Sequence, residues 1–252
     1  MPAREIASAR GIASARGIAS GRGVAVGRGF TGVQPVPKQI DGLELWFDAT
    51  YIAGLNNGDG VASWQDRSGN GRHAIQSTAG FRPLYKTGIQ NGLPIVRGDG
   101  IDDVLVTASI NINWGTVFAV IGGVSNGGGA PAFANAGWPA APGGSLRIIT
   151  VFPSNTNLHA DTADLHEFDV ANHVHSVDGV DTDNLVDTGF HVITLKSQSS
   201  VSSSGGVVGL LDAVQNANMA GDLGDFLVYN TILNSVNEAR IEDFLQNKWS
   251  TP

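Results

Sequence analysis

The chain has 252 residues, 34 glycines and a formal net charge of −8, which suits one large β-rich domain or two small domains better than a helical protein. It contains no cysteine, so a disulfide framework and a thiolate metal site are excluded. Its apolar runs are short, and five arginines interrupt the N-terminus, so neither a membrane span nor a signal peptide is predicted.

The N-terminus is a hexad repeat, in which an arginine recurs every six residues and an apolar residue follows two positions later. The frequent glycines disfavour a helix, since each costs about 1 kcal/mol relative to alanine. Five hexads are also too few for a stable β-solenoid. Residues 1–38 are therefore predicted to form an extended attachment arm that ends in a stiff linker at 32–37. The repeat positions are Arg4, Arg10, Arg16, Arg22 and Arg28, with Ile6, Ile12 and Ile18 among the apolar ones.

The arm and the rest of the chain carry opposite charge. Residues 1–38 hold six basic residues and one acid, whereas residues 39–252 hold nine basic residues and 22 acids. A basic arm predicts docking on an acidic partner surface. Two alternatives stay open: the arginines keep the arm soluble, or they bind nucleic acid, which the scarcity of aromatic residues disfavours. Pairing between several copies of the arm predicts a homo-oligomer, with a trimer as the expected state.

From residue 39 onward the pattern consists of short β-type runs separated by Gly, Asn and Asp. One helix is predicted near the C-terminus, where Asn234 or Ser235 is the cap and Ile241, Phe244 and Leu245 recur at helical spacing. Many strands with one late helix predict a β-sandwich over residues 39–252. The predicted strands lie at 43–47, 117–121, 146–152, 192–195, 207–211 and 226–229.

Four segments of this body resemble, in order, a laminin-G-like, concanavalin A-type jelly-roll domain. They are LELWFDA at 43–49, the W-x-D-x-S-G-N-G turn at 64–71, GDGIDD at 98–103, and GDFLVYN at 224–230 with the helix that follows. The resemblance implies an all-β, antiparallel jelly-roll β-sandwich with one C-terminal helix, here preceded by the extended N-terminal arm. This fold hosts lectins, enzymes, adhesion modules and virion proteins, so function has to be argued from sites.

Asp66, Asp99 and Asp102 are the predicted metal-binding set. Calcium takes six to eight oxygen ligands, commonly carboxylates on turns, and the resemblance implies calcium near such turns; no other cofactor is expected. The alternative is that these side chains cap Asx turns beside glycines. Asp103 follows Asp102 directly, so in a strand the two would face opposite sides, and only one of them is expected to bind an ion.

A second group of candidate ligands lies in the segment 158–191, which is rich in histidine and acids. His173 and His175 are two residues apart, so in a strand they share one face, a spacing that suits two imidazole ligands. The alternative is a solvated acidic loop in which the histidines bind nothing.

Aromatic residues suggest a sugar-binding surface, since sugars stack on exposed rings. Trp138, in a loop rich in glycine and proline, and Trp114 are the predicted glycan-binding residues. Loop packing is the alternative for Trp138. Trp46, Trp64 and Trp249 are predicted to lie in the core.

No catalytic residue is predicted, because neither a glycosidase-type carboxylate pair nor a nucleophile elbow is recognisable. The arm and the missing signal peptide lead to the prediction of a non-enzymatic phage virion protein, of the capsid decoration or fibre type. Its arm would bind a capsid or tail protein, and its sandwich would be exposed on the virion. The alternatives are a carbohydrate-binding module of a bacterial surface or secreted protein, which would bind a cell-surface glycan, and a glycan-cleaving enzyme.

Overall fold

A computed structural model describes residues 35–108, 113–122, 132–137, 146–151, 158–159, 173–181, 189–202, 207–210 and 220–252. Within these ranges the chain forms antiparallel β-strands, three short 3-10 helices and a C-terminal α-helix. The predicted arm, with Arg4, Arg10, Arg16, Arg22, Arg28, Ile6, Ile12 and Ile18, lies outside the described residues.

Fifteen strands occur in the described part of the chain. The 3-10 helices are Val36–Gln39, Ala49–Tyr51 and Ala79–Phe81. The strands are β1 Leu43–Asp48, β2 Ser63–Trp64, β3 Ala74–Ile75, β4 Leu84–Gln90, β5 Leu93–Asp99, β6 Leu105–Thr107, β7 Asn113–Gly122, β8 Ala132–Gly137, β9 Leu146–Val151, β10 Leu158–His159, β11 His173–Val177, β12 Val180–Asp181, β13 His191–Ser202, β14 Val207–Leu210 and β15 Ala220–Tyr229; the α-helix is α1 Ser235–Trp249.

The strands form two antiparallel sheets. The first has the order β12-β11-β13-β7-β15-β5-β4, and the second has the order β10-β9-β8-β14-β6-β3-β2. β1 also belongs to the first sheet, where it pairs with the C-terminal half of β15 while β5 pairs with its N-terminal half. β5 and β1 therefore pair one after the other along the same edge of β15.

The core has two layers, one on each face of the first sheet. Side chains of alternating residues in β7 and β15 point to opposite faces. One set, which includes Phe226, packs against Trp64 and Leu105 from the second sheet. The other set, which includes Leu227, packs against Leu245 and other residues of α1. Residues 117–121 of β7 and 226–229 of β15 are continuous apolar runs, because both faces of the sheet are buried there.

The helix α1 begins where the sequence predicts. The Asn234 side chain accepts a hydrogen bond from the Asn237 backbone N–H at 2.9 Å, which satisfies one of the free N–H groups of the first turn. Ile241, Leu245 and Trp249 form its buried face. The helix is thereby fixed on the outer face of the first sheet.

The body begins before the first strand. Val36–Gln39 is a 3-10 helix, so the extended linker predicted for 32–37 does not continue through residues 36 and 37, while residues 32–34 lie outside the described residues. Pro37 is buried, and its carbonyl oxygen accepts a hydrogen bond from the Tyr229 hydroxyl at 3.0 Å.

The all-β prediction is confirmed: antiparallel sheets with one C-terminal helix make up the described residues. The predicted strands match β1, β7, β9, β13, β14 and β15, and the predicted core residues Trp46, Trp64 and Trp249 are buried. Among the described residues, no helix combines the length and the apolar character needed to cross a membrane.

We expect Gly224→Ala to destabilise the protein by about 2 kcal/mol, the usual cost of overpacking a filled core. Gly224 lies where β15 passes from β5 to β1, and a Cβ at this position would come within 2.6 Å of the Trp249 ring. Urea unfolding measures the change. Gly80→Ala is the control, because a Cβ there meets nothing within 4 Å. Equal stability of the two variants would contradict the packing of α1 on β15.

Candidate functional site

Two buried carboxylates face each other across the β1–β15 pair. Asp48 is paired in register with Asp225, and the two residues are 2% and 0% exposed. Like charges placed directly opposite each other destabilise a sheet. The Lys248 ammonium of α1 lies between them and donates to Asp225 at 2.6 Å and to Asp48 at 2.7 Å. The helix therefore supplies the cation that this strand pair requires.

Asp225 is held by two further donors. The indole N–H of Trp46 donates to one carboxylate oxygen at 2.8 Å, and that of Trp249 donates to the other at 2.6 Å. Complete burial raises the pKa of Asp225 and the Asp48 carboxylate raises it further, while Lys248 and the Trp46 bond oppose this rise. Side chains of β1 and α1 thus meet at the Asp225 carboxyl group of β15.

The second carboxylate, Asp48, connects this network to the surface. It forms a salt bridge with Arg67, and its side chain accepts hydrogen bonds from the Thr50 backbone N–H at 2.9 Å and the Thr50 hydroxyl at 2.6 Å. The Thr50 bonds cap the short helix Ala49–Tyr51. The position of this helix therefore depends on the buried network.

Arg67 lies against two aromatic rings. Its guanidinium carbon is 3.9 Å from the ring centroid of Trp46 and 3.1 Å from that of Tyr51, which are cation–π distances. Its backbone N–H donates to the Trp46 carbonyl at 2.7 Å. Tyr51 itself is 61% exposed, so an aromatic ring on the surface is fixed in place by a buried salt bridge.

A cleft of about 330 Å³ opens beside Tyr51, within the roughly 300–1,000 Å³ of ordinary ligand sites. Its lining combines apolar residues with three neutral residues that carry hydrogen-bonding side chains, Tyr51, Ser63 and Gln65. Such a surface can stack a ring and bind hydroxyl groups at the same time. The lining residues are Tyr51, Ile52, Ala53, Leu55, Ala62, Ser63 and Gln65.

Asp66, one of the predicted metal ligands, is placed in its own turn. Its carboxylate accepts hydrogen bonds from the backbone N–H groups of Trp46, Ser68 and Arg72, and from the Ser68 hydroxyl, at 2.8–3.1 Å. The bond to Ser68 N–H is an Asx turn. The structure does not bring Asp66 together with the other two predicted ligands.

Asp99 and Asp102 do come together, and Asp103 joins them. Their carboxylate oxygens lie within 4.8 Å of one another in the turn after β5. Asp102 and Asp103 both follow the end of β5, so the expectation that they face opposite sides of a strand does not apply to them; Asp102 is exposed and Asp103 is buried. Three carboxylates in a turn are ligands that suit calcium, and they would hold the ion where it neutralises the turn. Calcium at this turn stays a prediction.

The surroundings in the acidic turn raise the pKa of one of its carboxyl groups, Asp103. Asp103 is 4% exposed and accepts a hydrogen bond from the Asp99 backbone N–H at 3.0 Å. Burial, followed by the Asp99 charge, raises the pKa of Asp103 from 3.8 to about 6. A carboxyl group in such a setting favours its protonated form.

The remaining predicted residues have different outcomes. Trp138 lies outside the described residues, and Trp114 lies in β7, where its backbone pairs with Val201 of β13. His173 and His175 lie on β11 two residues apart, as predicted.

Sequence reasoning missed Tyr51. The stretch 49–60 is rich in glycine and asparagine and resembles an ordinary loop. The available signal was an aromatic residue placed three positions after an aspartate that ends a strand. Its link to Arg67, sixteen positions later, requires the fold.

Comparison with known proteins finds distant structural similarity. No protein-family model and no curated protein matches the chain. Solved structures of Trypanosoma rangeli sialidase are similar: the complex with the inhibitor DANA is 12% identical with a TM-score of 0.49, and the complex with sialic acid is 14% identical with a TM-score of 0.46. Each alignment covers 82% of this chain and 33% of the sialidase, so the chain spans about a third of the length of these proteins.

These neighbours overturn two predictions. The non-enzymatic phage virion protein, of the decoration or fibre type, is wrong on this comparison, because the similar structures are sialidases. The prediction that the protein is not an enzyme is contradicted by the same finding. Both rested on the N-terminal repeat and on the absence of recognisable catalytic motifs. At these identities no residue role passes from them to this chain.

We expect Lys248→Met to destabilise the protein by about 3–5 kcal/mol, the usual cost of leaving a buried charge without its partner. Asp48 and Asp225 would then face each other with no cation between them. Chemical unfolding at pH 7 measures the effect, and Lys38→Met, at an exposed position, is the control. A loss below about 1 kcal/mol would show that the network does not hold α1 on the sheet.

Asp103→Asn should stabilise the protein in a pH-dependent way. Because the pKa of Asp103 is raised to about 6 in the fold, folding favours its protonated form, and the wild type loses stability as pH rises from about 4 to 6. A shift of two pKa units corresponds to about 2–3 kcal/mol. Unfolding of both proteins should give nearly equal stability at pH 4 and a more stable variant at pH 7. A difference that stays constant with pH would contradict this.

Proposed function

We propose that the body is a glycan-binding domain and that the cleft beside Tyr51 is its binding site. The observation that carries the proposal is the Tyr51 ring, 61% exposed and held by the Arg67 guanidinium at 3.1 Å, at the edge of a cleft with neutral hydrogen-bonding groups. This takes up the carbohydrate-binding alternative of the sequence analysis, at a different residue from the tryptophans predicted there.

The rigidity of Tyr51 supports this function. A side chain that is already ordered loses little conformational entropy when a ligand binds, so more of its contact energy appears as affinity. Tyrosine in particular provides a large contact area with few rotatable bonds. Because Arg67 is anchored by Asp48, the ring is ordered before any sugar arrives.

The Ser63 and Gln65 side chains supply the polar half of such a site. Both residues line the cleft, at β2 and directly after it. Alternate residues of a strand point to opposite faces, and Trp64 between them is buried in the core. Two neutral hydrogen-bonding side chains thus share the cleft side of an edge strand. There they can donate hydrogen bonds to sugar hydroxyls and accept hydrogen bonds from them.

We also propose that the sandwich is a laminin-G-like, concanavalin A-type jelly roll, as the four motifs imply. The two antiparallel sheets, with β15 inside the first sheet and α1 on its outer face, support this assignment. A domain of this type would meet its glycan outside the cell or at a cell surface. Glycan cleavage, the other alternative, is tested by incubating the same oligosaccharides with the protein and analysing the products.

Tyr51→Ala should reduce glycan affinity at least about tenfold, which corresponds to about 1.4 kcal/mol, while the fold stays intact because the side chain is exposed. Glycan-array screening identifies a ligand, and calorimetric titration then compares wild type with variant. Phe81→Ala, a second exposed aromatic outside the cleft, should bind like the wild type. A silent array, or equal affinity of Tyr51→Ala and wild type, would overturn the proposal.

A further inference from the structure

We propose that the cleft beside Tyr51 selects uncharged glycans and discriminates against glycans that carry a carboxylate or sulfate. This inference rests on the proposed function of the cleft and adds the chemical class of its ligand. It follows from the charges in and around the cleft.

The lining of the cleft contains no cation. Its seven residues are Tyr51, Ile52, Ala53, Leu55, Ala62, Ser63 and Gln65, all of them neutral. Proteins bind carboxylates and sulfates mainly with arginine, with lysine, or with free backbone N–H groups at a helix start. None of these seven side chains offers the first two.

The short helix at the cleft also offers no anion site. Ala49–Tyr51 is only three residues long, and the Asp48 carboxylate already accepts a hydrogen bond from its Thr50 N–H. An acidic sugar at this point would approach a carboxylate rather than a free N–H group. The Thr50 N–H at this helix start is therefore already used by Asp48 and is not free to bind an anion.

The nearest cation belongs to an internal ion pair. Arg67 forms a salt bridge with Asp48, its side chain is 14% exposed, and its guanidinium lies over two rings. To bind an acidic sugar, it would have to break its salt bridge with a carboxylate that is only 2% exposed, which is costly. Arg67 thus positions Tyr51 and does not serve as an anion ligand.

The other basic side chains near the cleft segment have assigned roles. Arg82 packs against Gly60 and donates to the carbonyl oxygens of Gln76 and Ser77 at 2.9 and 2.8 Å. Lys248 bridges the two buried carboxylates, as described above. Neither is a lining residue.

The segment around the cleft is itself acidic. Residues 48–67 contain Asp48, Asp59 and Asp66 against the single cation Arg67. The body as a whole is also acidic, with 22 acids against nine basic residues over residues 39–252, and this net charge opposes an approaching anion. An uncharged sugar meets no such penalty and can use the Ser63 and Gln65 side chains.

The test compares matched glycans that differ only in charge. An array of uncharged oligosaccharides is printed beside their sialylated and sulfated forms, for example lactose beside 3′-sialyllactose. The full chain is probed together with Tyr51→Ala and Ser63→Arg. The Ser63→Arg variant places a cation at an exposed position of the edge strand β2. Salt is varied, because electrostatic rejection weakens as ionic strength rises.

We expect the wild type to bind the uncharged members at least about tenfold more tightly than their acidic counterparts at low salt, with binding lost in Tyr51→Ala. Ser63→Arg should narrow or reverse this preference. Tyr51-dependent binding in which acidic forms bind equally or more tightly would overturn this inference but leave the proposed function standing. Absence of any Tyr51-dependent binding would overturn the proposed function and this inference with it.

Discussion

The structure depends on two carboxylates that face each other inside a sheet. Asp48 and Asp225 are opposite each other on β1 and β15 and are almost completely buried, an arrangement that is unstable without nearby cations. Lys248 donates to both of them, and it reaches them only when α1 is docked. Strand pairing and helix docking are therefore coupled through one ammonium group.

The same pair organises the surface nearby. Asp48 caps the turn that carries Tyr51, and it anchors the guanidinium that lies against the Tyr51 ring. The hydrogen bonds around Asp225, including those from two indoles, leave few of its lone pairs unsatisfied, which is the condition under which a buried charge is tolerated. A rigid core network thus reaches a cleft whose own residues are neutral. The pairing of Arg67 with Asp48 therefore links the buried network to the proposed binding site.

The sequence reveals the fold better than the site. Period-two runs and an Asn-capped helix predict strands and α1, because local pattern and burial agree there. The acidic turn after β5 was found, but its geometry was not: whether Asp102 and Asp103 diverge or converge depends on where the strand ends. Tyr51 could not be found, because an exposed tyrosine in a loop gains meaning only from an arginine that the fold brings against it. The virion prediction failed because it was drawn from the arm, whose character says little about the chemistry of the body.

A crystal structure of the protein with the tightest-binding uncharged oligosaccharide would test the proposed binding site. The prediction is a sugar ring stacked on the Tyr51 ring, sugar hydroxyls within hydrogen-bond distance of Ser63 or Gln65, and an unbroken Arg67–Asp48 salt bridge. A sugar bound elsewhere with the cleft empty, or a complex in which Arg67 leaves Asp48 to bind the ligand, would contradict it.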